Sequence, residues 1–279
     1  MNKLIFAVLV LVFMSGCAFT PKPVFLIDKY SDAAKLPDNG LKVSLIVKDT
    51  RPDSIQRTHM CGIMRNTYMM PTSIAFLAHK ESLEEIVARN AKAILEKAGY
   101  SVLKVSPSVK TDLSTDKLVA PPGDSSYKSA MKDNSDDNKA ELKLAKEESA
   151  GAVKVSNLSD LSEFKSAIDK ELITGVDAVI ELKIDKYSSD VIQAFVFVAV
   201  QGWAKLKVAA LKPDDNERTV LTGKMISGYG TSGPRQIISE DCYIVAVNMS
   251  HWAVLNEFEK FIRSDEFISA VKKVKVSNL

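Results

Sequence analysis

Hydrophobic and polar positions first fall into a regular pattern at LKVSLIVKD, residues 41–49. Val43, Leu45 and Val47 alternate with Ser44, Ile46 and Lys48, a period of two that predicts a strand. Pro52 in the following DTRPD stops the ladder. The period changes to helical over ESLEEIVARNAKAILEKAG, residues 81–99, where Leu83, Ile86, Val87, Ala91, Ile94, Leu95 and Ala98 share a face. Ser82 and Glu85 form a capping box at its start and Gly99 supplies its stop. YSVLKV follows as a strand, completing a strand–helix–strand unit.

Regular patterning returns at residue 161. LSEFKSAIDKELITG predicts a helix with Leu161, Phe164, Ile168 and Leu172 on one face and Gly175 as its stop. VDAVIELKIDKY reads as a strand, SSD (188–190) as a turn, and VIQAFVFVAVQGWAKLKVAAL as a long strand. Ala194 to Val200 is apolar on both faces, which predicts a central strand covered on both sides. Past Trp203, Lys205 and Lys207 take one face and Ala204, Leu206 and Val208 the other. KPDDNE turns the chain and RTVLTGKMISGYG pairs back, so three strands form an antiparallel meander. A long helix from about Ser239 to Ile262 carries Ile244, Val247, His251, Val254, Phe258 and Phe261 as a stripe, and SDEFISAVKK adds a short one. The order β-α-β-(polar insert)-α-β-β-β-α predicts an α+β fold, a mostly antiparallel sheet with helices packed on it.

Between these regions the composition shifts. Residues 107–160 hold a single aromatic, Tyr127, and are dense in Lys, Asp, Ser and Ala, which reads as a flexible polar insertion. Residues 17–40 read as a proline-bearing tether with an Asn39-Gly40 turn, inside which VFLIDKY can add an edge strand. The expected organisation is a leader over 1–16, the tether over 17–40, one α+β domain over 41–273 and a tail over 274–279. VKVSNL occurs twice, from Val153 and as the last six residues, too short and too far apart for a solenoid repeat.

The leader changes the picture of location. Lys3 precedes a ten-residue apolar run, Leu4 to Phe13, which is too short for a membrane span and fits an export signal. The run ends in MSGC, which resembles the lipobox of bacterial lipoproteins and implies cleavage before Cys17 and acylation of its sulfur. Ala18 rather than Asp after that cysteine implies transfer to the outer membrane. Removing residues 1–16 takes Lys3 from 37 basic side chains and none of the 35 acidic ones, a near-neutral balance that argues against a nucleic-acid partner. Hydrophobic content of 46% is enough for a real core. With Cys17 acylated, Cys61 and Cys242 remain as an even pair in an oxidising compartment; they either form a disulfide or stand as two thiols.

Candidate chemistry is sparse. RTHMCGIMRNTYMMPT (57–72) gathers His59, Met60, Cys61, Met64, Met69 and Met70, a donor set suited to copper(I) or another soft metal and equally to adaptable packing. Asp49 and Arg51 lie two apart and pair as a strand-end ion pair or, alternatively, contact an anion or partner. Gly228, Gly230 and Gly233 spell G-x-G-x-x-G outside any βαβ unit, which reads as a strand-to-helix loop able to touch a partner. His251 reads as a core histidine and His79 as a solvated loop residue. There is no H-E-x-x-H, G-x-S-x-G or P-loop, so no enzyme chemistry and no cofactor is expected beyond the acyl lipid on Cys17.

MSGC, VKDTRPD, LEEIVARNAKAILEKAGYSV and the late strand, loop and helix ending in FIRSDEFISAV resemble the YajG-type lipoproteins of Gram-negative bacteria. More loosely, the element order is similar to the N-terminal domains of TolB-like and curli-secretion-like periplasmic proteins. The resemblance implies a non-catalytic domain anchored in the outer membrane and facing the periplasm, an interaction, assembly or transport-accessory module. Its expected partners are the membrane, through the lipid, and other envelope proteins.

Overall fold

A computed structural model describes residues 22–28, 33–65, 71–79, 81–107, 153–158, 162–165, 170–194, 197–213, 219–233 and 240–277. The leader, Cys17, Met69, Met70 and most of the polar insertion lie outside the described residues.

Among the described residues, nine strands form two sheets, β1 (Lys22–Val24), β2 (Lys42–Asp49), β3 (Met60–Arg65), β4 (Pro71–Leu77), β5 (Ser101–Ser106), β6 (Val153–Asn157), β7 (Ala178–Ala194), β8 (Phe197–Leu211) and β9 (Val220–Thr231). The helices are α1 (Asp53–Thr58), α2 (Leu83–Lys97), α3 (Lys170–Ile173), α4 (Glu240–Ile262) and α5 (Asp265–Ser277). The large sheet has the order β5-β2-β7-β8-β9-β6 and the small one β1-β4-β3. The α+β class expected from the pattern holds. In the large sheet β2 pairs parallel with β5 and β7, while β7, β8, β9 and β6 pair antiparallel, so the anticipated meander sits at its centre.

The main core lies between one face of the large sheet and α2, α4 and α5. Val43, Leu45 and Val47 of β2, Ile180 and Leu182 of β7, and Leu206 and Val208 of β8 meet Ile86, Val87 and Leu95 of α2 and Val254, Phe258 and Phe267 of the C-terminal helices there. The opposite face holds a smaller cluster in which Phe164 packs on Ile46, Val179, Ala209 and Leu211. The capping box of α2 forms as expected, with the Glu85 N–H donating to Ser82 Oγ at 3.2 Å and the Ser82 N–H to Glu85 Oε2 at 2.7 Å.

Four expectations change. The SSD stretch is not a turn: β7 runs on to Ala194, and Ser188, Ser189 and Asp190 are buried within it. The sulfur-rich stretch, 57–72, holds the end of α1, all of β3 and the first residues of β4, which pairs antiparallel with β3. The helix over 161–175 is a 3-10 turn at Ser162–Lys165 and the short α3, with residues 166–169 outside the described set. The polar insertion contributes an edge strand, since β6 pairs with β9 from Val153↔Gly228 to Asn157↔Lys224. The tether is docked from Lys22 onward, with Val24 and Leu26 in the main core. The repeated VKVSNL segment is strand at 153–157, yet at 274–277 its backbone continues α5. Neighbouring structure, an open sheet edge in one case and a preceding helix in the other, overrides local preference.

Candidate functional site

Three glycines seat α4 on the sheet. Gly202 of β8 lies opposite Gly230 of β9, and Gly228 follows two residues earlier on the same face. A Cβ on Gly230 would stand 2.1 Å from the Ala246 carbonyl oxygen, one on Gly202 2.3 Å from the same atom, and one on Gly228 2.7 Å from the Ser250 carbonyl oxygen. The G-x-G pair therefore belongs to a buried strand against which a helix backbone presses, and is not a partner-binding loop. Only Gly233 lies beyond the strand, in the left-handed region at φ 72°.

Seated this closely, α4 reaches a polar seam between the two sheets. Tyr187 Oη and His251 Nδ1 are 2.8 Å apart in full burial. Burial lowers the His251 pKa to about 4, leaving the ring neutral at neutral pH, and raises that of the Tyr187 phenol. Arg65 of β3 holds Asp190 of β7 through two bonds, Nε to Oδ1 at 2.7 Å and Nη2 to Oδ2 at 3.0 Å. Tyr243 accepts from the Arg65 N–H at 3.3 Å and donates to the Ile63 carbonyl at 3.2 Å, and Ser189 Oγ donates to the Cys61 carbonyl at 2.8 Å. These bonds tie β3 to β7 and α4. Arg65, Asp190, Tyr187 and Tyr243 were not singled out in the sequence. The only hint is a cluster of polar residues, Ser188 to Asp190, inside what proves to be one continuous strand.

The candidate residues of the sequence are placed as follows. Asp49 and Arg51 do pair, with Arg51 Nε 2.9 Å from Oδ1 and Nη2 2.7 Å from Oδ2. Both side chains are almost wholly buried and Gln56 Nε2 donates to both their carbonyls, at 3.1 and 2.6 Å, so the pair locks the turn after β2.

The soft-metal set is divided. His59 caps α1 in the left-handed conformation, its pKa lowered by burial and then by the Arg51 charge. Met60 packs with Ile55, Ile63, Ile74 and Phe76 in a separate small core, whereas Cys61 belongs to the main core and Met64 packs against it. Cys61 and Cys242 are buried thiols not joined by a disulfide, and burial pushes the Cys61 thiol up to about 12. Among the described residues, no group of three or more His, Cys, Asp or Glu side chains converges on a common point.

A second polar cluster fixes the entering chain. Asn248 of α4 donates to the Phe25 carbonyl at 2.8 Å and accepts from the Ile27 N–H at 2.7 Å. Trp252 Nε1 donates to the Ile27 carbonyl at 2.9 Å. His79 is not a solvated loop residue, because its Nε2 accepts from the Leu26 N–H at 2.7 Å and burial lowers its pKa. Asp28 receives Arg89 at 3.1 Å on each oxygen and Asn90 at 2.8 Å. A buried amide near the middle of α4, Asn248, is the signal that could have revealed this clamp.

The far face of the large sheet carries two cross-strand lysine pairs, Lys183↔Lys207 and Lys186↔Lys205. Glu163 and Asp185 sit 2.9 and 3.1 Å from Lys207, and Lys183 lies over the Phe164 ring at 4.7 Å. This offsets the repulsion expected of facing cations.

No protein-family model matches this chain, and no curated protein matches it by sequence. Among solved structures, it is similar to a neuraminyllactose-binding hemagglutinin homolog from Helicobacter pylori, with a TM-score of 0.42 and 12% identity over 89% of this chain and 100% of that one. It is also similar to a DUF330 protein from Xanthomonas campestris, with a TM-score of 0.42 and 8% identity over 93% of this chain and 99% of that one.

Proposed function

We propose that this chain is an exported envelope lipoprotein, held at the periplasmic face of the outer membrane through acyl chains on Cys17. Its domain is a non-catalytic module that engages other envelope proteins, of the kind the YajG-type resemblance implies. One observation carries the reading: an apolar run of export length, preceded by Lys3, ends in Met14-Ser15-Gly16-Cys17. Among the described residues, no helix is long and apolar enough to cross a membrane. A lipoprotein cysteine carrying more than one acyl chain gives a durable anchor where a single chain binds marginally.

The chemistry of the seam supports a module of this kind. A neutral His251, a Cys61 thiol pushed up to about 12 and an Asp190 carboxylate held by Arg65 bring hydrogen bonding and packing to the join between the sheets. The test is fractionation of cells producing the chain and its Cys17→Ala variant. The parent is expected in the outer-membrane fraction, released only by detergent, and the variant is expected to leave that fraction. An unchanged membrane location for the variant, or release of the parent by salt alone, overturns the reading.

A further inference from the structure

Apolar side chains are exposed where the chain enters the fold. Along residues 24–27 the side chains alternate: Val24 and Leu26 enter the core, while Phe25 and Ile27 turn outward, 39% and 53% exposed. The clamp holds this segment along α4. One turn before Asn248, Val245 is 42% exposed, and Met249 and Trp252 continue the same side of the helix, both partly exposed. A shallow groove extends from the patch toward β6, with Met249, Trp252, Ala253 and Val153 on its apolar side and Asn256, Glu257 and Lys260 closing its polar end. Exposed Asp241 begins this stripe and exposed Asn256 and Lys260 end it, so the apolar stretch has polar ends.

We propose that this patch, Phe25, Ile27, Val245, Met249 and Trp252, is a docking surface for the lipid bilayer itself, which it meets at the interface beside the lipidated cysteine. The inference rests on the lipoprotein reading above. The length of chain outside the fold selects the occupant. Four residues lie between Cys17 and Lys22, so five Cα steps span about 18 Å at full extension, and β1 adds only three residues before Phe25. The domain therefore cannot stand far from the headgroups, and the first exposed side chains after the anchor, Phe25 and Ile27, are apolar. The composition suits an interface, where indole and phenyl rings sit at headgroup level. Trp252 has its N–H satisfied by the Ile27 carbonyl, so its ring enters that region without stripping a donor of its partner. Lipid and patch together fix the orientation of the domain, which an acyl anchor on a free tether does not.

The experiment uses the full lipidated protein reconstituted into phosphatidylethanolamine–phosphatidylglycerol vesicles, with and without phospholipids brominated at shallow acyl positions. The chain has two tryptophans, and Trp203 is only 2% exposed, so Trp252 is the reporter. Bromolipid is expected to quench the emission, and Trp252→Phe is expected to abolish that quenching. Ile27→Ser with Val245→Ser is expected to cut it by roughly half while the protein stays with the vesicles, because surface apolar contacts and acyl chains contribute separately. Both positions are exposed, and circular dichroism checks that the double variant is folded. Unquenched Trp252 in vesicle-bound protein with acylated Cys17 overturns the docking surface and leaves the lipoprotein reading intact. An unquenched Trp252 accompanied by a concentration-dependent dimer in detergent assigns the patch to a second copy and likewise overturns it. A mass spectrum showing unmodified Cys17 overturns the lipoprotein reading, and this inference with it.

Discussion

Gly230→Ala tests how closely α4 sits on the sheet. The added Cβ would stand 2.1 Å from the Ala246 carbonyl oxygen, 2.6 Å from the Ser250 nitrogen and 2.8 Å from the Met249 Cβ. Ordinary contacts of this kind begin near 3.4 Å, so relief requires α4 to retreat by more than an ångström. The clashing atoms are mainly helix backbone and have no rotamer by which to escape. Retreat loosens Val247, Val254, Leu255 and Phe258, all fully or nearly fully buried. Overpacking of a tight core costs about 1–3 kcal/mol, and a backbone clash at this distance belongs at the upper end, about 3 kcal/mol. Gly202→Ala meets the same carbonyl at 2.3 Å and is expected to cost nearly as much, while Gly228→Ala, at 2.7 Å, costs less. The Gly202/Gly230 double variant is expected to cost less than the sum, because one retreat of α4 relieves both clashes. Urea denaturation followed by far-ultraviolet circular dichroism measures each value. If Gly230→Ala unfolds within about 0.5 kcal/mol of the parent, the size of an ordinary surface substitution, α4 does not sit where these distances place it.

Other tests address the seam. The His251 pKa falls from 6.5 to about 4 on folding, so the unfolded chain binds more protons between those values and stability drops as pH falls through that window. The full effect is about 3 kcal/mol, read from urea midpoints at pH 7 and pH 4; His251→Gln is expected to flatten the slope, and an unchanged slope would contradict the burial of this ring. The pKa values of His79 and His59 are lowered as well, so both also cost stability as pH falls below the unfolded value. Asp190→Ala strands the Arg65 guanidinium beside a buried site and is expected to cost about 3 kcal/mol in the same assay, whereas a neutral result means that the pair does not join β3 to β7. Thiol titration of the lipidated protein is expected to find Cys61 and Cys242 unreactive when folded and both reactive in denaturant without reductant; no thiols in denaturant would mean that the two are bonded.

The sequence carried the frame of the fold for a physical reason. β2, α2 and the β7–β9 meander each present their main-core face at the period of their own geometry, so Val43, Leu45 and Val47 or Leu83, Ile86 and Val87 announce both the element and that inward side. The capping box is similarly local, since Ser82 and Glu85 bond within a single turn. What stayed hidden depends on distant partners. Ser188 to Asp190 looked like a turn because polar residues favour turns, but Asp190 is held in strand by Arg65, 125 positions earlier. Gly228 and Gly230 looked like a loop because the helix backbone that needs their missing side chains comes later in the chain. Asn248 became meaningful only once Phe25 and Ile27, more than 220 residues away, supplied its partners. Neighbours in sequence part in the same way at β3, which assigns Met60 and Cys61 to different cores.

The most direct test of the lipoprotein account is intact-mass and N-terminal peptide mass spectrometry of the chain purified in detergent from the outer-membrane fraction. The expected product begins at Cys17 and carries acyl chains on that residue. A chain that retains Met1, or one cleaved elsewhere with an unmodified Cys17, contradicts it.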